Sequence, residues 1–258
     1  MMQVVVTGGT SGIGCGIASA AAKRGWKVTI VGRNQAAGEK MANQLGVHFV
    51  PSDLSLMSEV RGLANRIQQP VDALVMCAGG IYASGGIRLT SEGLERTFAT
   101  NYLSKFVLSQ LLMEQGKLIS GGSILMAGGN GDHRKASSAW SEPHAGLKAA
   151  NQAAFAVDLY ASELARRSPH LRIHTCYPGM LRTELFRDEA MPLRLLMRLF
   201  GKPVEQGSAY FVRLLEERHD QVHWKQDRPM RFTPAPTGQE AATLWTYSEE
   251  TALALLAE

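Results

Sequence analysis

Thr7-Gly8-Gly9-Thr10-Ser11-Gly12-Ile13-Gly14 follows a short apolar run and opens a segment of helical period, and its spacing reads TGxxxGxG. Glycine permits a tight turn and close approach of backbone to a pyrophosphate, while the N–H groups at the start of the following helix carry partial positive charge toward the anion. The chemistry implied is dinucleotide binding; the alternative is a tight structural turn. Which dinucleotide is answered at the end of the second apolar run, where an NAD site places a carboxylate on the ribose 2′-OH. Here Gly32-Arg33-Asn34 stands in that place, 19 residues after Gly14 for Arg33. A guanidinium matches a 2′-phosphate by charge and fork geometry, so NADP(H) is the expected cofactor, against the alternative of a solvated loop arginine.

A strand must deliver that loop and a helix must receive it. Short β-branched runs at 3–7, 27–31, 47–50, 72–77, 123–127 and 171–177 alternate with helical segments at 12–24, 35–45, 56–68, 91–115 and 144–166. Such alternation predicts βαβ units and a Rossmann-type, doubly wound parallel sheet of six to seven strands in one α/β domain. Residues 1–183 would form the cofactor and catalytic core, and 184–258 a substrate lid with C-terminal elements, including helices at 191–200, 205–217 and 238–256. A length of 258 residues fits one such domain.

Beyond the glycine loop, Asp53-Leu54 follows the third strand, Ala78-Gly79 the fourth, Asn101 lies in Thr-Asn-Tyr-Leu, and Pro178-Gly179-Met180-Leu181-Arg182-Thr183 follows the sixth. With these motifs the chain resembles the short-chain dehydrogenase/reductase family over essentially its whole length. Lys148-Ala-Ala-Asn151 to Glu163-Leu-Ala-Arg166, with Leu244-Trp245 to Ser248-Glu249-Glu250, is most similar to the retinol-dehydrogenase-like branch. The resemblance implies that Gly8, Thr10, Ser11, Gly12, Ile13 and Gly14 hold the pyrophosphate and that Asp53 and Leu54 hold the adenine. It implies that Ala78, Gly79, Lys148, Pro178, Gly179, Leu181 and Thr183 border the ribose and nicotinamide, with Arg33 and Asn34 at the adenosine ribose. It also implies a homodimer or homotetramer built on the fourth and fifth helices.

The proton-transfer signature departs from that family. Its Tyr-x-x-x-Lys is His144-Ala-Gly-Leu-Lys148 here, and Met126-Ala127-Gly128-Gly129-Asn130-Gly131 offers no hydroxyl where the family carries serine. The asparagines that precede Ala-Gly in the family are Met76 and Cys77. The expected catalytic set is therefore Asn101, His144 and Lys148. Imidazole, with an unperturbed pKa of ~6.5 against ~10 for tyrosine, can protonate an alkoxide near neutrality, and a lysine one turn away would favour its neutral form. A His144 that only caps or packs at the start of the helix is the alternative. Ser137, Ser138 and Ser141 are further hydroxyls in the preceding loop, and His133, which shares that loop with Asp132, reads as solvated.

The expected substrate is a bulky apolar or aromatic small molecule, because the 191–200 segment places apolar residues 193, 196, 197 and 200 on one face and Arg194 and Arg198 on another. A lid helix packed on its own core, and a basic helix resting on a membrane surface, are the alternatives for that segment. Trp140 and Tyr82 are expected on loops beside the same cleft. A net charge of +4, spread along the chain, requires no nucleic acid, and no apolar stretch is long enough to span a membrane. Three scattered cysteines and no leader-like apolar segment point to reduced thiols in the cytoplasm. The leading expectation is an atypical NADP(H)-dependent oxidoreductase of carbonyl reductase type. A non-redox dehydratase, cyclase or isomerase on the same fold and a non-catalytic NADP-binding protein are its rivals.

Overall fold

The computed structural model describes residues 1–80, 86–181, 201–233, 235 and 237–257. Six strands, β1 (Gln3–Thr7), β2 (Lys27–Gly32), β3 (His48–Pro51), β4 (Val71–Met76), β5 (Leu118–Ala127) and β6 (Arg172–Tyr177), run parallel. Between them lie α1 (Gly12–Ala22), α2 (Gln35–Leu45), α3 (Met57–Arg66), α4 (Arg96–Phe98), a π-helical segment (Ala99–Leu103), α5 (Ser104–Glu114) and α6 (Gly146–Arg167). After β6 come α7 (Val204–Glu216), β7 (His223–Lys225), β8 (Arg228–Pro229) and α8 (Gly238–Leu256).

The sheet order is β3-β2-β1-β4-β5-β6-β7-β8, with β7 parallel and β8 antiparallel to its neighbour. The order reverses between β1 and β4, and in an open parallel sheet the crevice outside the strand ends at such a point receives the ligand. Eight strands exceed the six to seven expected, because β7 and β8 are only three and two residues long and lack a periodic apolar signal. Their hairpin turns at Gln226, a non-glycine residue with positive φ, 60°.

Both faces of the sheet are covered, so its strands are apolar throughout rather than alternating. One core joins β1 and β4 residues such as Val5, Leu74 and Met76 to α3, α5, α6 and α8, with Tyr102, Phe106 and Tyr160 at its centre. The other joins Val6, Ile30 and Val75 to Ile17 of α1 and to Phe211 and Leu214 of α7. The elements at 204–256 are thus built into sheet and core, whereas the lid expected at 191–200 falls outside the described residues. No described helix is long and apolar enough to cross a membrane.

Helix ends were the least predictable part. The helix expected from Ser91 starts only at Arg96, where the Glu95 carboxylate accepts from the amides of Thr97 and Phe98. Residues 91–95 form a turn instead, from which Glu92 accepts the Met57 and Ser58 amides at the start of α3.

Candidate active site

The glycine loop is a cradle with no room for side chains. A Cβ on Gly8, which has φ of 69°, would lie 2.7 Å from the Ala78 nitrogen, and one on Gly9 would lie 2.7 Å from the Ile30 side chain. A methyl on Gly14 would be driven into the Gly8 carbonyl. The loop is therefore pressed onto the ends of β2 and β4, and the Thr10 side chain fills the space over Gly32. Ser11 caps α1 in extended conformation without a side-chain bond to the helix, and the first turn of α1 carries no acidic residue. Gly12 and Ile13 begin that turn, so backbone N–H groups and the helix dipole face outward with no competing carboxylate.

Arg33 is exposed immediately after Gly32 at the end of β2. Asn34 uses its Oδ1 to accept from Ala37 N–H at 2.9 Å, so its first task is to cap α2. Asp53 accepts from the Ser55 amide and hydroxyl at 3.0 and 2.8 Å, while Leu54 is buried in the core. At the end of β4, Ala78 N–H reaches Thr7 Oγ1 at 3.5 Å, and Gly79 lies against the Asn101 side chain.

Asn101 sits in the π-helical segment, a local widening often found at functional sites. Its side chain makes a two-point contact with Gly80, accepting from N–H and donating to the carbonyl at 2.9 Å each. The lysine that meets Asn101 is not Lys148 but Lys105, whose Nζ donates to the Asn101 carbonyl and, at 2.9 Å, to that of Ala78. Lys148 is exposed on α6. Burial lowers the Lys105 ammonium from its ordinary range to about 8, opposed by the neighbouring Cys77 thiol.

His144 lies before α6 rather than on it, because the helix starts at Gly146, whose φ is 58°. The one-turn spacing expected between His144 and Lys148 is therefore not a helical one. The imidazole is buried, and its Nε2 has no hydrogen-bond partner among the described residues.

A physical reason for the missing serine stands at the end of β5. A Cβ on Gly128 would lie 2.7 Å from Asp158 Oδ1 and 2.9 Å from Thr175 Cβ, and one on Gly129 would lie 2.9 Å from Asp158 Oδ2. The Asp158 carboxylate, 1% exposed, occupies the space a side chain would need. His133 Nε2 approaches it at 3.1 Å, from a ring lodged beside Phe155 and Phe232. His133 is therefore buried and paired, not solvated as expected, while Asp132 pairs with Arg134 at the surface. Next to them His223 joins Thr175 Oγ1 at 2.8 Å to Ser162 Oγ at 2.7 Å, and burial depresses its pKa to about 4.

Ser138 and Ser141 are exposed and Ser137 accepts from Ala139 N–H, so that loop inserts no buried hydroxyl into the site. Trp140 packs inward on Phe155 and donates to Thr243 Oγ1 of α8 at 3.4 Å, away from the expected cleft position. Tyr82 and Thr183 lie outside the described residues.

At the end of β6, Gly179 has φ of 86° and abuts Gln226, whose amide donates to the Pro178 carbonyl at 3.4 Å. Leu181 turns its side chain inward against Gly207 of α7. Lys105, Asp158 and Gln226 were not singled out in the sequence, since no local motif marks them. A lysine amid the apolar residues of α5 and an aspartate amid those of α6 were the signals available.

Comparison with known proteins agrees with this fold. The family model of short chain dehydrogenases matches residues 2–192. A curated relative from Streptomyces sp. (strain C5), named "Putative daunorubicin C-13 ketoreductase DnrU", is 28% identical over 95% of this chain and 90% of its own. A crystal structure of an uncharacterized protein from Mycobacterium Paratuberculosis has the same fold with a TM-score of 0.77, at 24% identity, over 98% of this chain and 93% of that one. BdcA, solved in complex with NADPH, superposes with a TM-score of 0.63 at 20% identity, over 88% of this chain and 93% of its own. The chain belongs to the short chain dehydrogenase family, a family of oxidoreductases.

Proposed function

We propose that this short chain dehydrogenase is an NADP(H)-dependent carbonyl reductase or alcohol dehydrogenase acting on a bulky apolar or aromatic small molecule, with an altered route for the proton. The observation that carries the reading is the cradle formed by Gly8, Gly9 and Gly14, where any Cβ would collide with backbone or a neighbouring side chain. Such closeness suits a pyrophosphate laid on bare backbone at the carboxylate-free start of α1. Arg33 supports a 2′-phosphate, because it stands at the end of β2 where an NAD-selective site carries a carboxylate. The NADPH found in BdcA is in keeping with that choice.

When bound, the reduced nicotinamide supplies a hydride to the carbonyl carbon. The chain's part is to orient the substrate and deliver one proton to the carbonyl oxygen, leaving an alcohol. His144, a buried imidazole with an unpartnered Nε2, is the proposed donor, directly or through water. Lys148, exposed at the start of α6, is proposed to turn onto the nicotinamide ribose, and Asn101 holds Gly80 at the end of β4. Positioning alone carries part of the rate, so loss of the usual tyrosine and serine slows the reaction without abolishing it.

Ile87, Leu89, Leu147 and Met180 are exposed apolar side chains on segments that follow β4, β5 and β6, which supports an apolar substrate. The ketoreductase name of the Streptomyces relative fits the same class. Cys77 and Cys176, each pushed up to about 12 by burial, stay as thiols in keeping with a reducing compartment such as the cytoplasm. Assembly as a homodimer or homotetramer through α5 and α6 belongs to the same reading.

The test is NADPH oxidation with a panel of bulky ketones and quinones, run in parallel with NADH. NADPH-dependent turnover of at least one carbonyl is the expected result. Tight NADPH binding with no turnover of any panel member overturns the reductase reading in favour of a protein that only binds the nucleotide.

A further inference from the structure

Lys105 is 3% exposed, in the first turn of α5, and an ammonium taken that far out of water must be held by strong acceptors. Its acceptors are two backbone carbonyls, Ala78 at the end of β4 and Asn101 in the π-helical segment. Among the described residues no carboxylate meets it. The π geometry helps present the second carbonyl: Ser104 N–H reaches back five residues to Ala99, widening the helix next to Asn101. Asn101 in turn grips Gly80 through both its amide atoms. Lys105 and Asn101 together thus fix Ala78 and Gly80, and Ala78 is the residue against which Gly8 of the phosphate cradle is pressed.

We propose that Lys105 is the positioning residue of this site: through the Asn101 and Ala78 carbonyls it holds the end of β4 against the glycine loop, and its charge tunes cofactor affinity. The proposal rests on the reading of the glycine loop as an NADP(H) cradle. It assigns to a lysine of α5 the buried positive charge at this strand end, whereas Lys148 of α6 is left exposed.

A consequence is sensitivity to mildly alkaline pH. With burial lowering Lys105 to about 8, the ammonium becomes a neutral amine across pH 7–9, and its bonds to the two carbonyls lose their charge assistance. Among the described residues the titratable group that faces it is Cys77 at the end of β4, kept as a neutral thiol up to about 12. On the adjoining helices Tyr102 and Tyr160 are raised by burial, Tyr160 to about 12, and α3 turns the apolar Val60, Leu63 and Ala64 inward. None of these titrates between pH 7 and 9.

The experiment compares the wild type, Lys105→Met and Lys148→Met by two readouts. The first is NADPH affinity by fluorescence titration from pH 6 to 10; the second is amide hydrogen exchange of residues 78–80 without nucleotide. The wild type is expected to lose about tenfold in affinity through a break near pH 8. Lys105→Met is expected to bind about tenfold more weakly at pH 7, to lose the break, and to exchange Gly80 N–H faster. Lys148→Met is expected to keep both the break and the exchange rate.

A break that survives in Lys105→Met, or Gly80 N–H exchange in Lys105→Met no faster than in the wild type, overturns the proposal. If Lys105→Met does not fold, the wild-type break decides, and its absence overturns it. Absence of carbonyl turnover bears on the reductase reading alone, since neither readout needs a substrate. A wild type that binds no NADPH refutes the cradle reading and the affinity role together, while the exchange of residues 78–80 still reports on the clamp.

Discussion

The two halves of the site are built on different principles. At the β1–α1 turn, the close contacts run from backbone to backbone, Gly8 against Ala78 and Gly14 against Gly8, with the Thr10 side chain laid over Gly32. At the β5–α6–β6 side, contacts run between side chains far apart in sequence, with Asp158 meeting His133 and His223 meeting Thr175 and Ser162. A site made of bare backbone admits only glycine at fixed spacing. A site made of side chains tolerates exchange of partners, and here the usual hydroxyls are gone while a buried carboxylate fills the space.

The largest expected effect breaks the first half. Gly14→Ala, which drives a methyl into the Gly8 carbonyl, should weaken NADPH binding at least ~100-fold in a fluorescence titration. A variant that binds within threefold of wild type would show that the loop has slack the geometry denies.

The second half is probed by His144→Gln. Loss of a positioned proton donor should lower kcat by about 100-fold while NADPH affinity stays within threefold, measured once a turned-over carbonyl is in hand. An unchanged kcat would leave His144 as a packing residue.

Installing the family's serine sharpens the contrast further. Gly128→Ser should cost about 3 kcal/mol in denaturant unfolding, because its Cβ would crowd Asp158 Oδ1 and Thr175. Combined with Asp158→Ala the loss should be smaller than the sum of the two, the signature of a shared space.

The smallest effect is electrostatic. Burial depresses His174 and His223 to about 4, so between pH 6.5 and 4 the unfolded chain binds more protons than the folded one. Stability should therefore be full above pH 6.5 and fall as pH drops toward 4, the loss reaching roughly 2 kcal/mol per imidazole at pH 5. Replacing His174 by Gln should flatten that acid limb in urea unfolding followed over pH.

The same contrast explains what was legible in the sequence. Strand–helix alternation and the glycine spacing are local signals: the first predicts the parallel sheet and the bounds of α2 and α8, and the second marks the tight loop between β1 and α1. The hairpin of β7 and β8 is too short to carry a periodicity. His133 looked solvated because its partner lies 25 residues away on α6, and only the packing of that helix over Gly128 and Gly129 brings them together. Lys105 was hidden for a related reason: a lysine in a helix reads as a surface residue until the fold buries it under two carbonyls.

As a cradle for a 2′-phosphorylated nicotinamide dinucleotide, the backbone half of the site should distinguish NADPH from NADH, and this selectivity carries the proposed function. It is tested most directly by titrating the wild type and Arg33→Glu with NADPH and with NADH. The wild type is expected to bind NADPH at least ~10-fold more tightly than NADH, and Arg33→Glu to lose or reverse that preference. Equal affinities in the wild type, or a preference that survives the charge reversal, would contradict it.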